Sequence, residues 1–223
     1  MTRRKPYPKP PRLFSPYPAK QYRRLVMRHG ERGKLYDFAF QFSETANRLA
    51  DSFTGQPYDD TILIPWLYLH RHAAELVMKD AILRAAQLRR RGGDTDSSLD
   101  PAVVKERLKG KLRHRLMALL DELDKHLQAL ELDRTPPETR RTLAHLSELD
   151  PSGESFRYDG GLPKHDDRID FPALDKALRS MYATLAASID VLEQYADWQN
   201  EMLDAVPDES PGDDEYRELI DDF

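Results

Sequence analysis

Apolar residues recur three and four apart through most of this chain, which predicts helices, and no segment shows the strict alternation of a strand. The longest run, Thr61 to Arg91, is apolar at Ile62, Trp66, Leu69, Ala73, Leu76 and Val77 and holds no glycine. Pro65 falls in its first turn, where a missing N–H costs no helical hydrogen bond, so the helix is expected to start near Thr61. It closes on three arginines and Gly92-Gly93, with cations at the negative end of the helix dipole and glycine to stop it.

On the N-terminal side, Leu35 to Phe53 has helical spacing and stops at Thr54-Gly55-Gln56-Pro57. Its aromatic face includes Tyr36, Phe38, Phe40, Phe42 and Phe53 and needs a cover. A short loop joins it to the Thr61 helix, and short loops make antiparallel neighbours. The face exceeds what one helix covers, so a homodimer contact is expected. Asp100-Pro101 supplies an N-cap carboxylate and a first-turn proline, opening a leucine-rich stretch to Leu132 that Gly110 divides. Another helix follows Thr135-Pro136-Pro137 and stops at Asp150-Pro151. After an irregular stretch rich in Gly, Asp and Pro, a last long helix starts at Asp170 with Phe171, Leu174, Leu178, Met181, Leu185, Ile189, Leu192 and Tyr195 on one stripe. The expected fold is all-α: an up-and-down bundle of long helices over residues 35–205. The Thr61 helix and the final helix should pack on each other in its core.

Charge divides the chain in a way that the net value of −5 conceals. Residues 1–34 carry eleven Lys or Arg against one acid, and residues 204–223 carry nine acids against one Arg. The first stretch reads as a basic, proline-rich arm (1–34) and the last as an acidic tail (206–223), either of which could contact a partner protein. Prolines favour an extended arm that displays Arg3, Arg4, Lys5 and Arg12 beside Tyr7, Phe14 and Tyr17. Basic residues interleaved with aromatics suit RNA backbone and base contacts. Without cysteine there is no disulfide framework or thiolate metal site, and Gly-rich phosphate loops and His-Glu-x-x-His motifs are missing too, so no metal or cofactor is expected. With no secretory signal or membrane-spanning run, a soluble cytoplasmic protein is expected.

Inside the Thr61 helix, His72, Glu75 and Lys79 fall at i, i+3 and i+7 and form a polar row in a core helix. Glu75 and Lys79 alone are an ordinary helix ion pair. If buried, they need partners, and His114 and Arg157 are the candidates. Such a cluster would either fix the packing or line a ligand pocket.

His72 to Leu83 resembles the helix of HEPN domains in which a Glu and a Lys four residues later precede apolar positions. Arg113 to Leu123 is similar to that family's Gly-His-Asp-Leu helix start, with Arg113 and Arg115 in place of Gly and Asp. Ser155 to Gly161 resembles its Arg-Tyr-Pro segment, with Asp159 in place of Pro. The resemblance implies a helical bundle, often a homodimer, that binds RNA or nucleotides or acts as a metal-independent ribonuclease in toxin or antiviral defence systems. Nuclease members carry an Arg followed by four to six residues and then a His. Arg140/His145, Arg107/His114 and Arg24/His29 all fit that spacing, and Arg140 with His145 is preferred as the catalytic pair because it falls late in the bundle. Arg157 would add an RNA contact. The alternative is a non-catalytic helical interaction module in which the polar row is structural.

Overall fold

The computed structural model describes residues 35–158 and 168–204, and among these the secondary structure is helical with no strand. Six α-helices follow one another: α1 Leu35–Ala50, α2 Asp60–Arg91, α3 Pro101–Arg107, α4 Leu116–Ala129, α5 Pro137–Leu149 and α6 Phe171–Asp204. The basic arm and the acidic tail, and with them Arg3, Arg4, Lys5, Arg12 and the Arg24/His29 pair, lie outside the described residues. None of the described helices is long and apolar enough to cross a membrane.

Contacts along α2 give the directions of its neighbours. Phe42 meets His72 edge-on at 4.5 Å, while Phe53, just beyond α1, stacks on Phe171 at 4.6 Å, which in turn lies 4.6 Å from Trp66. Helix α1 is therefore antiparallel to α2. Helix α6 runs parallel to α2, since Phe171 meets Trp66 at one end, Arg84 binds Glu193 at 2.6 Å, and the Gln199 side-chain amide donates to the Leu88 carbonyl at 3.1 Å. Helix α4 is also parallel to α2, after α3 has returned the chain, and α5 runs back against α4 through Arg140. Helices α2, α4 and α6 thus run one way and α1 and α5 the other, with the short α3 as the return between α2 and α4. Asp100 caps α3 by accepting from the Ala102 N–H, and Pro101 is its first residue.

The core is aliphatic. Leu116, Leu119, Leu120 and Leu123 of α4 and Leu178, Met181, Leu185, Ile189 and Leu192 of α6 are buried with Trp66, Val77, Met78 and Ile82 of α2. Each such side chain contributes about 1.5–3 kcal/mol relative to its exposed state. Helix α1 departs from the expected aromatic packing. It ends at Ala50, not Phe53, and the face it buries is Ala39, Ser43, Ala46 and Ala50. Small side chains at that spacing let its backbone approach the bundle closely, which turns Phe38 and Phe40 outward, 47% and 55% exposed.

Candidate functional site

Three charged side chains on α2, Arg71, Glu75 and Lys79, fall at i, i+4 and i+8 on one face. The first two are only 3% and 2% exposed, so their charges require partners inside the protein. Glu75 receives all three of its nearest groups at its carboxylate: Lys79 Nζ at 2.6 Å, Arg71 Nη1 at 3.3 Å, and His114 Nδ1 at 2.9 and 3.1 Å from its two oxygens. Arg71 also donates through Nη2 to the His114 carbonyl at 2.6 Å and to the Asp150 carbonyl at 3.1 Å. Asp150 is wholly buried; one carboxylate oxygen accepts from the Ser155 N–H at 2.9 Å, and the other sits 3.1 Å from Arg71 Nε, off the line of its N–H bond. Two cations and two carboxylates balance. Burial raises the Glu75 pKa, but the Lys79 hydrogen bond and the charges of Lys79, His114 and Arg71 hold it below the usual carboxylate value.

Local backbone features place His114 against this network. After α3 the chain makes one π-helical turn, Leu108–Leu112, closed by Arg113 N–H donating to the Leu108 carbonyl at 2.9 Å. Arg113 then adopts φ 45° and ψ −110°, a strained conformation for a residue with a side chain, costing about 1–3 kcal/mol. That reversal directs the His114 carbonyl and ring toward α2 before α4 begins. From the other side comes Gly153, at φ 83°, whose missing Cβ would lie 2.8 Å from the His114 Cβ and 3.0 Å from Arg71 Nη1. Only glycine satisfies both the backbone angle and the space. Arg157, on the same turn, donates from Nε to the Gly153 carbonyl at 2.7 Å and is otherwise exposed.

The outcome for the His114 side chain is an asymmetric one. Its Nδ1 is held by a buried carboxylate, while the side chain as a whole is 44% exposed and Nε2 makes no hydrogen bond among the described residues. A neutral imidazole held this way carries its proton on Nδ1 and presents the Nε2 lone pair outward, the orientation that a general base requires. Cations beside it, with Arg157 one turn away, suit an anionic substrate.

Other residues picked out by spacing do not join this cluster. His72 is half-buried between Phe42 and Tyr68, whose ring lies parallel to it at 5.7 Å, and burial lowers its pKa. Arg140 is engaged by Asp121 at 2.8 Å and Asp124 at 2.7 Å, which raise its pKa and tie α5 to α4. His145 is exposed on α5. Five residues apart, the two sit on different sides of the helix, and the structure does not bring them together. Arg107 is held by Glu122 at 2.9 Å and the Ser98 carbonyl at 3.1 Å, away from His114. Sequence spacing also leaves out Arg71, Asp150 and Gly153. The signal for Arg71 is its place four residues before Glu75. Asp150 gives no signal, because its partner is 79 residues away. Comparison of the chain with protein-family models, with curated proteins and with solved structures found no match.

Proposed function

We propose that this chain is a HEPN-like, RNA-directed helical bundle that cuts RNA without a metal, with His114 as its proton-transfer group. The observation that carries this reading is a convergence. The three segments that resemble the family contribute Glu75 and Lys79, His114, and the turn bearing Ser155 and Arg157: Glu75 binds Lys79 and His114, and the turn reaches them through Gly153, packed on His114, and through Asp150, which joins Ser155 to Arg71. In the proposed step, His114 Nε2 takes the proton of a ribose 2′-hydroxyl. The oxygen attacks the adjacent phosphorus and the P–O5′ bond breaks; the 5′-oxygen leaves as a hydroxyl with the proton that the His114 imidazolium returns through water, and a 2′,3′-cyclic phosphate remains. Glu75 stabilises the imidazolium as it forms, and Arg157 offsets charge on the phosphate oxygens.

The test is incubation of the purified chain with end-labelled single-stranded RNA in excess chelator, where strand scission is expected. A protein that binds no RNA even in low salt rejects the reading. It leaves the interaction-module alternative, which the near-complete burial of Arg71, Glu75 and Asp150 favours as a packing lock. The exposed Phe38 and Phe40, which flank the buried face of α1 and have no cover among the described residues, extend the proposal to a homodimer through α1. Light scattering should then give twice the chain mass, and a strictly monomeric mass at high concentration counts against the dimer.

A further inference from the structure

The kink that carries His114 is also the most basic stretch among the described residues. From Lys105 to Arg115 every second residue is a cation (Lys105, Arg107, Lys109, Lys111, Arg113, Arg115), and the only acid among them is Glu106. The π-helical turn buries Leu108 and Leu112 as anchors, and the rest of the turn faces solvent. Arg107 is engaged by Glu122. Lys109 comes within 3.8 Å of Glu106, but both are more than three-quarters exposed, so that pair is weak. Lys105, Lys111 and Arg113 form no ion pair among the described residues, and the Arg115 guanidinium folds back on the Lys111 carbonyl without meeting a carboxylate. Five cations are therefore exposed along this one stretch, with almost no compensation among the described residues. Beside it, on the Gly153 turn that packs against His114, Tyr158 is 66% exposed with the Arg157 guanidinium 5.7 Å from its ring centre.

We infer that this stretch is the phosphate track of a single-stranded RNA site. Lys105, Lys109, Lys111, Arg113 and Arg115 hold the backbone, and Tyr158 stacks one base, presenting the strand to His114. The inference rests on the RNA reading above and assigns it a binding surface. Regularly spaced cations neutralise a phosphate chain, and an exposed aromatic ring next to them offers any base a stacking face. An anionic membrane fits less well, because both leucines of the kink are buried and only Val103 and the Tyr158 ring stand exposed near it, too little apolar surface for insertion.

The experiment is fluorescence anisotropy of the full chain with a labelled uridine oligoribonucleotide across a salt series. It compares wild type with the fivefold variant Lys105→Gln, Lys109→Gln, Lys111→Gln, Arg113→Gln and Arg115→Gln. Each lost phosphate contact lowers the log–log salt slope by about 0.7, so the fivefold variant should lose up to about 3.5. The basic N-terminal arm is common to both proteins and cancels in the difference. Should the fivefold variant lose helicity, Lys109→Gln with Lys111→Gln alone is expected to lower the slope by about 1.4. Tyr158→Ala should weaken single-stranded RNA more than duplex RNA. Wild type that binds RNA with a slope unchanged by these substitutions overturns the track and leaves the RNA reading standing. A wild type that binds no RNA overturns both, and one that binds phosphatidylserine vesicles through these cations but not RNA makes the stretch a membrane contact instead.

Discussion

Replacing Arg71 by alanine is expected to destabilise the protein by about 3–5 kcal/mol, the usual cost of leaving a buried charge without its partner. The substitution strips Asp150, which is wholly buried, of its one ion-pair partner among the described residues, and removes one of the three side chains that bind the Glu75 carboxylate. It also leaves the inward-facing carbonyls of His114 and Asp150 without their donor. Urea unfolding should show a lower midpoint with little change in slope. Arg140→Ala is the control. Its guanidinium is 38% exposed, so the loss there should stay near about 1 kcal/mol. Equal effects at the two sites would contradict a closed network around Arg71.

Acid should weaken the fold well before the carboxylates titrate. His70 is fully buried, both ring nitrogens lack hydrogen-bond partners, and burial, helped by the charge of Arg179, lowers its pKa to about 4. An unfolded chain binds a proton there near pH 6.5, whereas the native protein refuses it until about pH 4. Between those values the unfolded state binds more protons. Stability is complete above pH 6.5 and falls by as much as about 3 kcal/mol on approach to pH 4. The lowered pKa of His72 acts in the same direction. Glu75, also lowered, keeps its contribution above its ordinary value of 4.5 and loses it as pH falls through its own folded pKa, so it steepens only the acid end. Unfolding midpoints measured from pH 7.5 to 4.5 should decline in wild type and decline much less in His70→Leu. A wild-type stability that stays flat over that range would contradict a neutral buried His70.

The helices were legible because burial on one side of a helix leaves a period in the sequence, and Ile62, Trp66 and Ala73 or Phe171, Leu178 and Leu185 display it directly. How they pack was less so. Large aromatic residues dominate any reading of α1, yet close approach depends on small ones, and Ala39, Ser43, Ala46 and Ala50 take the core. Spacing suggests a polar row through His72, Glu75 and Lys79, whereas the face that forms includes Arg71 at i−4 and leaves His72 among aromatic rings. Within one helix both patterns are permissible, and only the arrival of His114 and Asp150 from other elements selects between them. Gly110 signals an interruption, but a π-helical turn followed by a strained Arg113 depends on how Leu108 and Leu112 find the core. The alternating cations from Lys105 to Arg115 were visible in the sequence. Their common exposure required the fold.

The most direct test of His114 as the working group is a comparison of single-turnover RNA cleavage by wild type, His114→Ala and His145→Ala, with helicity checked in each. Removal of a general base should slow His114→Ala by about 10²–10⁴-fold while RNA affinity stays close to wild type, and His145→Ala should cut at nearly the wild-type rate. Loss of cleavage in His145→Ala with full activity in His114→Ala would contradict the assignment and place the chemistry on α5.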